Sequence, residues 1–273
     1  MHRPKKRFGQ HFLTDELIIQ QIISAIAPMS GQHIIEIGPG QGIITLPLLQ
    51  AVGTLEAIEL DRDLISGVRV RCALHGQLKL HQADALQVDY SALQSDPQPL
   101  RIVGNLPYNI STPLLFHLLS HKAAIHDMHF MLQKEVVNRL AAQPGSKTYG
   151  RLSVMIQDAC QVEHLFDISP KAFHPPPRVD SSFVRLIPKP NTNSPEHQRA
   201  FADIVSLAFA QRRKTLRNNL KNNLTTAHIA AVGIDPQARA ETLSLTDFHQ
   251  LASQYASVVK ASASNNLPIV HPS

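Results

Sequence analysis

The sequence contains few cysteines and no long apolar run. Cys72 and Cys160 lie far apart and belong to no CxxC or Cys/His pattern, which argues against disulfides and structural zinc. The apolar stretches fall far short of the roughly 18 to 20 residues that cross a bilayer. The basic start, Arg3 to Arg7, has no long apolar region behind it, as a secretory signal would. These absences predict a soluble cytoplasmic protein with no membrane partner.

Charge is distributed unevenly along the 273 residues, whose formal net charge is +5. Residues 1–7 contain four basic residues and no acid, residues 8–187 contain 13 basic and 16 acidic residues, and residues 188–273 contain nine and five. Basic ends around a slightly acidic centre are expected if the ends bind a polyanion and the centre carries out chemistry. Charge that serves only solubility would give the same pattern.

The central part of the chain alternates between patterns typical of strands and helices. Strands are predicted at 33–37, 55–60, 78–82, 101–104, 128–132 and 182–186. Helices are predicted from the glycine turn at 38–42 to about 50, and at 61–73, 112–120, 134–142 and 151–160. This alternation predicts an α/β domain with a mostly parallel, doubly wound sheet.

A break in composition at 188–195, rich in Pro and Asn, marks a predicted domain boundary. It gives a catalytic domain over 1–187 and a small all-helical domain over 196–260. Helical spacing occurs within the second domain at 196–211, 215–224 and 245–259. Residues 261–273, rich in Ala, Ser, Asn and Pro, are predicted to be a disordered tail.

The glycine turn after the first predicted strand indicates a cofactor site. Gly38, Gly40 and Gly42 would let the backbone pass close beneath a ligand and lead into a helix whose first NH groups favour an anion. The dinucleotide fingerprint needs a third glycine at position 43, which is Ile43. The turn therefore favours a cofactor with a carboxylate and no pyrophosphate, such as S-adenosylmethionine, over NAD.

Two acids stand at the ends of the next predicted strands. Glu59 is placed to accept hydrogen bonds from ribose hydroxyls, and Asp84, followed by Ala85, from the amine of the cofactor's adenine. Each acid taken singly could be an ordinary cap. The glycine turn and these two acids stand at three consecutive strand ends, which favours the functional interpretation. Asp61 and Asp63 are interpreted as solvent-facing charges at a helix start.

The tetrapeptide Asn105-Leu106-Pro107-Tyr108 follows the fourth predicted strand on the same edge of the sheet. The amine of adenine is a poor nucleophile because its lone pair is delocalised into the ring. If the Asn105 side-chain oxygen and a backbone carbonyl of Leu106 or Pro107 accept its two NH bonds, the lone pair is freed. Tyr108 would stack on a flipped or single-stranded base. The alternative is an ordinary Asn/Pro turn.

In these motifs the chain resembles the small-subunit ribosomal RNA adenine dimethyltransferases. The likeness covers about residues 5–260 and includes nine segments in order. These are 7–13, 36–42, 59–61, 82–85, 104–111, 131–135, 149–152, 173–181 and 211–214. The resemblance implies S-adenosylmethionine as methyl donor, a Rossmann-like methyltransferase domain with a helical C-terminal domain, and a role in 30S subunit maturation. It also implies dimethylation at N6 of two adjacent adenosines in the 3′-terminal hairpin of that RNA. The expected partner is small-subunit RNA within the 30S particle, with naked RNA as the alternative substrate, and the protein is expected to be a monomer.

The resemblance also carries functional residues over to matching positions. Cofactor contacts are implied for His11, Leu13, Gly38, Glu59, Asp84 and Asn105. Asn105 and Tyr108 are implied at the target amine, and Phe173 as a second stacking ring. Many relatives have Asn where this chain has His11, which leaves the role of that side chain open.

Basic residues of the second domain are candidates for RNA binding. Arg213, Arg217 and Lys221 recur every four residues, so a helix would align them in one stripe beside an apolar stripe of Leu216, Leu220 and Leu224. Arg212 and Lys214 widen the basic patch. A solvated helix face is the alternative interpretation.

Other features and other functions have less support in the sequence. His117 and His121 stand at i, i+4, but no third ligand supports a metal site, and Ser111 and Ser181 have no GxSxG context. A large-subunit adenine methyltransferase of the macrolide-resistance type is the alternative enzyme; segments 131–135, 173–181 and 212–214 favour the small-subunit type. A noncatalytic ribosome assembly factor is the alternative of another class, and the intact cofactor acids argue against it.

Overall fold

The computed structural model describes residues 11–94 and 97–265 of the chain. A seven-stranded mixed sheet forms the framework of the larger of its two units. The strands are β1 Phe12–Leu13, β2 Ile34–Ile37, β3 Thr54–Glu59, β4 Gln77–Gln82, β5 Leu100–Asn105, β6 Ile125–Gln133, β7 Cys160–Ile168, β8 Phe173–His174 and β9 Ser181–Pro188. The sheet order is β4-β3-β2-β5-β6-β9-β7, and β1 pairs separately with β8. The five strands from β4 to β6 in this order are parallel to one another, whereas β9 runs antiparallel to both β6 and β7. The Rossmann-like α/β class is thereby confirmed.

Eleven helices accompany these strands in the described part of the chain. They are α1 Glu16–Ile26, α2 Thr45–Val52, α3 Arg62–Cys72, α4 Tyr90–Leu93, α5 Ser111–Ser120, α6 Lys134–Leu140, α7 Arg151–Ala159, α8 Pro195–Ala208, α9 Leu216–Leu220, α10 Thr226–Ala231 and α11 Leu245–Asn265. Short polar side chains begin several of them. Asp15 caps α1 through the NH groups of Leu17 and Ile18, and Ser194 caps α8 through that of His197.

The burial of each strand follows from its place in the sheet. All four residues of central β2 are buried, which explains its continuous apolar character, because helices cover both faces of a parallel sheet. Edge strand β4 alternates between exposed and partly buried residues over its first four positions. Around β2, one apolar cluster gathers side chains from α1, α2 and α3 and from the segment 168–183.

The six predicted strands and most predicted helices are confirmed, with differences that have physical causes. The strand β7 was missed because its register shifts between His164 and Phe166, which interrupts the period of two that betrays a strand. Strands β1 and β8 have two residues each and are too short to give a pattern. The helix expected directly from the glycine turn begins only at Thr45, since residues 41–44 form turns.

The chain divides into two compact units. One comprises the described residues up to Asn138 together with Ala159–Lys189, and the other comprises Arg139–Asp158 and the described residues from Pro190 onward. The division at Lys189 lies beside the predicted boundary, but the segment Arg139–Asp158 was predicted in the first domain. Its side chains explain the difference, because they join the core of the helical unit.

Tyr149 and Val154 belong to the buried apolar cluster of the helical unit, with Phe201 and Phe248. The Tyr149 hydroxyl also donates to the carbonyl oxygen of Leu243 at 3.0 Å. The tail predicted over 261–273 differs as well, because α11 continues to Asn265; residues 266–273 lie outside the described part of the chain.

Candidate active site

A cavity of about 190 Å³ opens at the carboxyl ends of β2, β3, β4 and β5. This is the edge where strand order reverses between β2 and β5, the usual ligand position in such sheets. The predicted residues that line it are His11, Leu13, Gly38, Gly40, Glu59, Asp84, Ala85, Asn105, Leu106, Pro107 and Tyr108. The structure therefore brings together the cofactor residues and the tetrapeptide that the sequence placed at separate strand ends.

The glycine turn forms the floor of this cavity. Gly38 and Gly40 have φ angles of +68° and +57°, which residues with a Cβ rarely adopt. A Cβ on Gly40 would also lie 3.3 Å from the ring of Phe12. Gly42 does not line the cavity; a Cβ there would lie 3.1 Å from Cδ of Arg71 on α3. We therefore assign Gly42 to close packing of the turn rather than to ligand contact.

Glu59, the last residue of β3, is fixed by two backbone NH groups. Its Oε1 accepts from the NH of Asp61 at 2.8 Å and its Oε2 from that of Gly40 at 3.2 Å. Burial raises the pKa of the Glu59 carboxyl, and these two hydrogen bonds act in the opposite direction. The carboxylate thus ties the glycine turn to the end of β3 at the cavity wall.

Glu36 is a cavity residue to which the sequence reasoning assigned no role. It is only 3% exposed, and its Oε2 has no hydrogen-bond partner among the described residues. Burial, together with the nearby charge of Glu59, raises its pKa to about 7, against the lowering effect of a hydrogen bond from Thr45. A carboxylate inside the apolar run 34–37 is the signal that could have identified it.

The cavity is acidic. Glu36, Glu59, Asp61 and Asp84 all line it, so Asp61 is not the solvent-facing charge that the sequence suggested but a buried cap of α3; no lysine or arginine lines it among the residues that the structure describes. One oxygen of Asp84 accepts from the NH of Leu86 at 3.0 Å, which leaves its second oxygen for a ligand. Such a lining suits a cation and disfavours a pyrophosphate, in line with the missing third glycine.

Asn105 ends β5, and its amide orientation is fixed by a contact across the site. Its Nδ2 donates to the backbone carbonyl of His11 at 3.2 Å, and because a carbonyl can only accept, the Oδ1 atom remains available as an acceptor. The Pro107 carbonyl accepts from the NH of Ile110 at 3.1 Å. Of the two candidate carbonyls, that of Leu106 is therefore the better second acceptor for a target amine.

Tyr108 is held at several points. Its ring stacks on His11 with centroids 5.8 Å apart and planes inclined by 28°, and its hydroxyl lies 3.0 Å from Oγ of Ser181. His11 is itself fixed, since its Nδ1 donates to the carbonyl of Pro175 at 2.8 Å. Burial raises the pKa of the Tyr108 phenol, so the group stays neutral at physiological pH.

Phe173 does not take the position expected of a second stacking ring. It pairs with Leu13 where β8 meets β1, is 4% exposed, and belongs to the apolar cluster around β2. It is not among the residues that line the cavity. The two-stranded pairing of β1 and β8 explains the difference, because it places this ring in the core.

The five basic residues proposed for RNA binding are all exposed, but they do not form one helical stripe. Helix α9 covers only Leu216–Leu220, so Arg213 lies in the turn before it and Lys221 in the turn after it. Arg212 pairs with Glu241 at 3.2 Å and donates to the carbonyl of Lys147. The helix predicted over 215–224 was too long, because turn residues follow Leu220; the side chain of Asn219 donates to the carbonyls of Ala208, at the end of α8, and Gln211. The apolar stripe predicted beside these basic residues is confirmed, because its three leucines are buried: Leu216, Leu220 and Leu224.

The weaker candidates have structural explanations. His117 donates from Nε2 to the carbonyl of Val88 at 2.8 Å, and Nδ1 of His121 lies 2.9 Å from Oγ of Ser91. Within the described ranges, no three His, Cys, Asp or Glu side chains are grouped to hold a metal ion. No helix there has the length and hydropathy needed to cross a membrane.

Known proteins similar to this chain share its sequence and its fold. The sequence profile of the family "Ribosomal RNA adenine dimethylase" matches residues 1–257. A protein of Nitrosococcus oceani named "Ribosomal RNA small subunit methyltransferase A" is 56% identical over 248 residues, or 90% of this chain and 94% of that protein. A protein of the same name from Chromohalobacter salexigens is 55% identical, over 93% of this chain and 92% of its own length.

Solved structures agree. A dimethyladenosine transferase from Plasmodium falciparum superposes with a TM-score of 0.77 at 26% identity, covering 91% of this chain and 98% of that one. The 23S rRNA methyltransferase ErmE gives a TM-score of 0.70 at 22% identity, over 89% and 99%, which shows a shared fold. With a profile match over almost its entire length and curated relatives more than half identical, the chain belongs to the ribosomal RNA adenine dimethylase family.

Proposed function

We propose that the protein is an S-adenosylmethionine-dependent methyltransferase that dimethylates N6 of two adjacent adenosines in the 3′-terminal hairpin of small-subunit ribosomal RNA. The observation that carries the proposal is the placement of Asn105. Asn105 lines the same acidic cavity as Glu36, Glu59 and Asp84, and its amide oxygen is left as an acceptor because its nitrogen donates to His11. A donor site and a site for an aromatic amine thus share one wall.

The acidic lining fits S-adenosylmethionine, whose sulfonium and ammonium groups are both cationic. When bound, the cofactor supplies a methyl group on positively charged sulfur, which makes that carbon electrophilic. Glu59, oriented by the NH groups of Gly40 and Asp61, would accept from the two ribose hydroxyls. The second oxygen of Asp84 would accept from the adenine amine. These residues bind and orient the donor.

On the substrate side, Asn105 and Leu106 would prepare the target amine. Asn105 Oδ1 and the Leu106 carbonyl each accept one N–H bond, which draws the nitrogen towards sp3 geometry and makes its lone pair available. Tyr108 stacks on the extruded base and fixes its plane. Once methylated, the nitrogen carries a positive charge and loses its proton readily, so no strong general base is needed. The two hydrogen bonds strengthen as that charge develops, which is where catalysis is gained.

The helical unit would contact the RNA. Arg213, Lys214, Arg217 and Lys221 are exposed and cluster around α9, where they can neutralise phosphates. Arg212 would contribute less, because Glu241 offsets its charge. Basic residues Arg3 to Arg7 would add a second contact, although they lie outside the described residues. We further propose that the protein acts as a monomer, in the cytoplasm, on the 30S particle.

The relatives favour the small subunit as the target. The curated proteins that are 55–56% identical are named for the small subunit, whereas the large-subunit enzyme ErmE shares only the fold at 22% identity. A noncatalytic assembly factor would not need the buried carboxyl groups of Glu36 and Glu59 in a cavity for a methyl donor. The lining therefore favours an enzyme.

Methylation of 30S particles that lack the modification tests the proposal. The particles are incubated with the protein and S-adenosylmethionine, and the 3′-terminal RNA fragment is examined by mass spectrometry. We expect a gain of four methyl groups on two adjacent adenosines, and none with Asn105→Ala. Particles of the 50S subunit serve as the parallel substrate. Methylation of 50S particles alone would favour the large-subunit alternative, and binding to 30S particles without methylation would favour an assembly factor.

A further inference from the structure

We propose that Ser181 is a positioning residue of the methyl-transfer reaction, which acts by holding the Tyr108 ring at the angle in which it receives the target base. This inference rests on the proposed function. It concerns a serine that no hydrolytic motif explains and that does not line the cavity. Among the described residues, its side chain contacts the site through the tyrosine hydroxyl, at 3.0 Å.

Ser181 is a rigid support. It is 1% exposed and is the first residue of β9, where its backbone pairs with Gln133 of β6 on one side and with Ile168 of β7 on the other. A buried serine between two strands cannot move without disturbing both ladders. A hydrogen bond to it therefore fixes the tyrosine relative to the central sheet.

Tyr108 needs such a support because its backbone lies in a loop. The residue follows β5 and precedes α5, where the Ser111 hydroxyl donates to the Tyr108 carbonyl at 3.1 Å. That contact fixes the main chain but leaves rotation about the side-chain bonds. His11 covers one ring face, and the bond to Ser181 fixes the far end of the phenol. Together they leave a single orientation for the remaining face.

A neutral phenol suits this role. Burial raises its pKa, so the hydroxyl neither ionises nor exchanges protons with the reaction at physiological pH. We therefore expect the hydroxyl to act through the position of the ring alone. Loss of one neutral hydrogen bond corresponds to a change of roughly three- to tenfold. Loss of the stacking ring itself corresponds to a change on the order of a hundredfold.

A double-mutant cycle on the full-length protein tests the inference. The kcat for methyl transfer to 30S particles is measured for wild type, Ser181→Ala, Tyr108→Phe and the double variant. Each single change is expected to lower kcat by roughly three- to tenfold, with the KM for S-adenosylmethionine unchanged. The double variant is expected to be no slower than the slower single variant, because each change breaks the same bond. Tyr108→Ala should be far slower than all three.

Ser182→Ala is the matched control. Ser182 follows Ser181 on β9, is equally buried, and donates to Asp167 at 2.6 Å on the other face of the strand. Its substitution should lower the melting temperature, and its effect on kcat should be independent of the Tyr108→Phe change. A Ser181→Ala effect that persists in full in the Tyr108→Phe background would overturn the inference, since Ser181 would then act only on general stability. Absence of methyl transfer by the wild-type protein would instead refute the proposed function.

Discussion

Replacement of Glu59 by alanine should weaken binding of S-adenosylmethionine by between tenfold and on the order of a hundredfold. A carboxylate offers about four lone-pair positions, and the NH groups of Gly40 and Asp61 occupy two of them. The remaining two can each accept from one ribose hydroxyl. Losing charge-assisted bonds of this kind removes roughly 1.5 to 3 kcal/mol of binding free energy. Isothermal titration calorimetry with the purified protein measures that loss directly.

The same substitution also affects folding, so the assay needs a control for stability. Glu59 is 7% exposed, and its removal leaves the NH groups of Gly40 and Asp61 without their acceptor. Buried groups left unsatisfied cost about 1 to 3 kcal/mol each. Melting temperatures must therefore be recorded for every variant, and affinities compared where each is folded.

Glu56→Ala provides the matched control. Glu56 lies on the same strand, β3, and is similarly buried, but its carboxylate binds His81, Lys79 and His33 and does not line the cavity. Its loss should lower the melting temperature and leave the dissociation constant for the cofactor unchanged. If folded Glu59→Ala bound the cofactor as tightly as wild type, Glu59 would not be a ribose ligand and the assignment of the site would have to be revised.

Three further predictions concern the chemistry, the pH dependence and the docking of RNA. Asn105→Ala should abolish most methyl transfer while changing RNA affinity little, which single-turnover kinetics and filter binding would separate; equal losses in both would refute a role in the transition state. Because burial raises the pKa of Glu36 from 4.5 to about 7, its ionisation costs the folded state free energy. The free energy of unfolding should therefore fall as pH rises from 4.5 to about 7. Urea denaturation should show that Glu36→Gln gains stability relative to wild type between about pH 5 and pH 8, and a difference that does not change with pH would contradict this. Replacing Arg213, Arg217 and Lys221 by Gln should flatten the salt dependence of RNA binding by about one slope unit per lost contact without changing cofactor affinity, and an unaltered slope would mean that the patch is only a solvated surface.

The cofactor side of the site could be predicted from the sequence because it is built from local features. Each strand of the parallel sheet ends at the same edge, so Glu59, Asp84 and Asn105 could be grouped without knowing the tertiary structure. No role was predicted for Glu36, because a single glutamate inside an apolar strand belongs to no local motif. Only the structure shows that its carboxyl group lines the cavity and is almost fully buried.

The domain boundary shows the limit of local patterns in another way. Composition changes near Lys189, but the helical part of residues 139–158, Arg151–Ala159, has the same spacing as the helices of the first unit. Their assignment depends on which core Tyr149 and Val154 enter, and that is decided by partners some fifty to one hundred residues later in the chain. Amphipathic spacing tells that a helix has a buried face and does not identify the surface that buries it.

The target side of the site depends on contacts of the same long-range kind. Asn105 is oriented by the backbone of His11, 94 positions away, and Tyr108 by Ser181, 73 positions away. His11 in turn is held by Pro175. These partners lie on strand β9 or directly beside β1 and β8. Strands β1 and β8 have only two residues each and give no pattern in the sequence. The residues proposed to bind the donor are thus set by turns between neighbouring elements, whereas the residues proposed to receive the base depend on the separate β1–β8 pair and on strand β9 of the main sheet. Their roles are predicted from the tetrapeptide, whereas their geometry depends on contacts from across the whole unit.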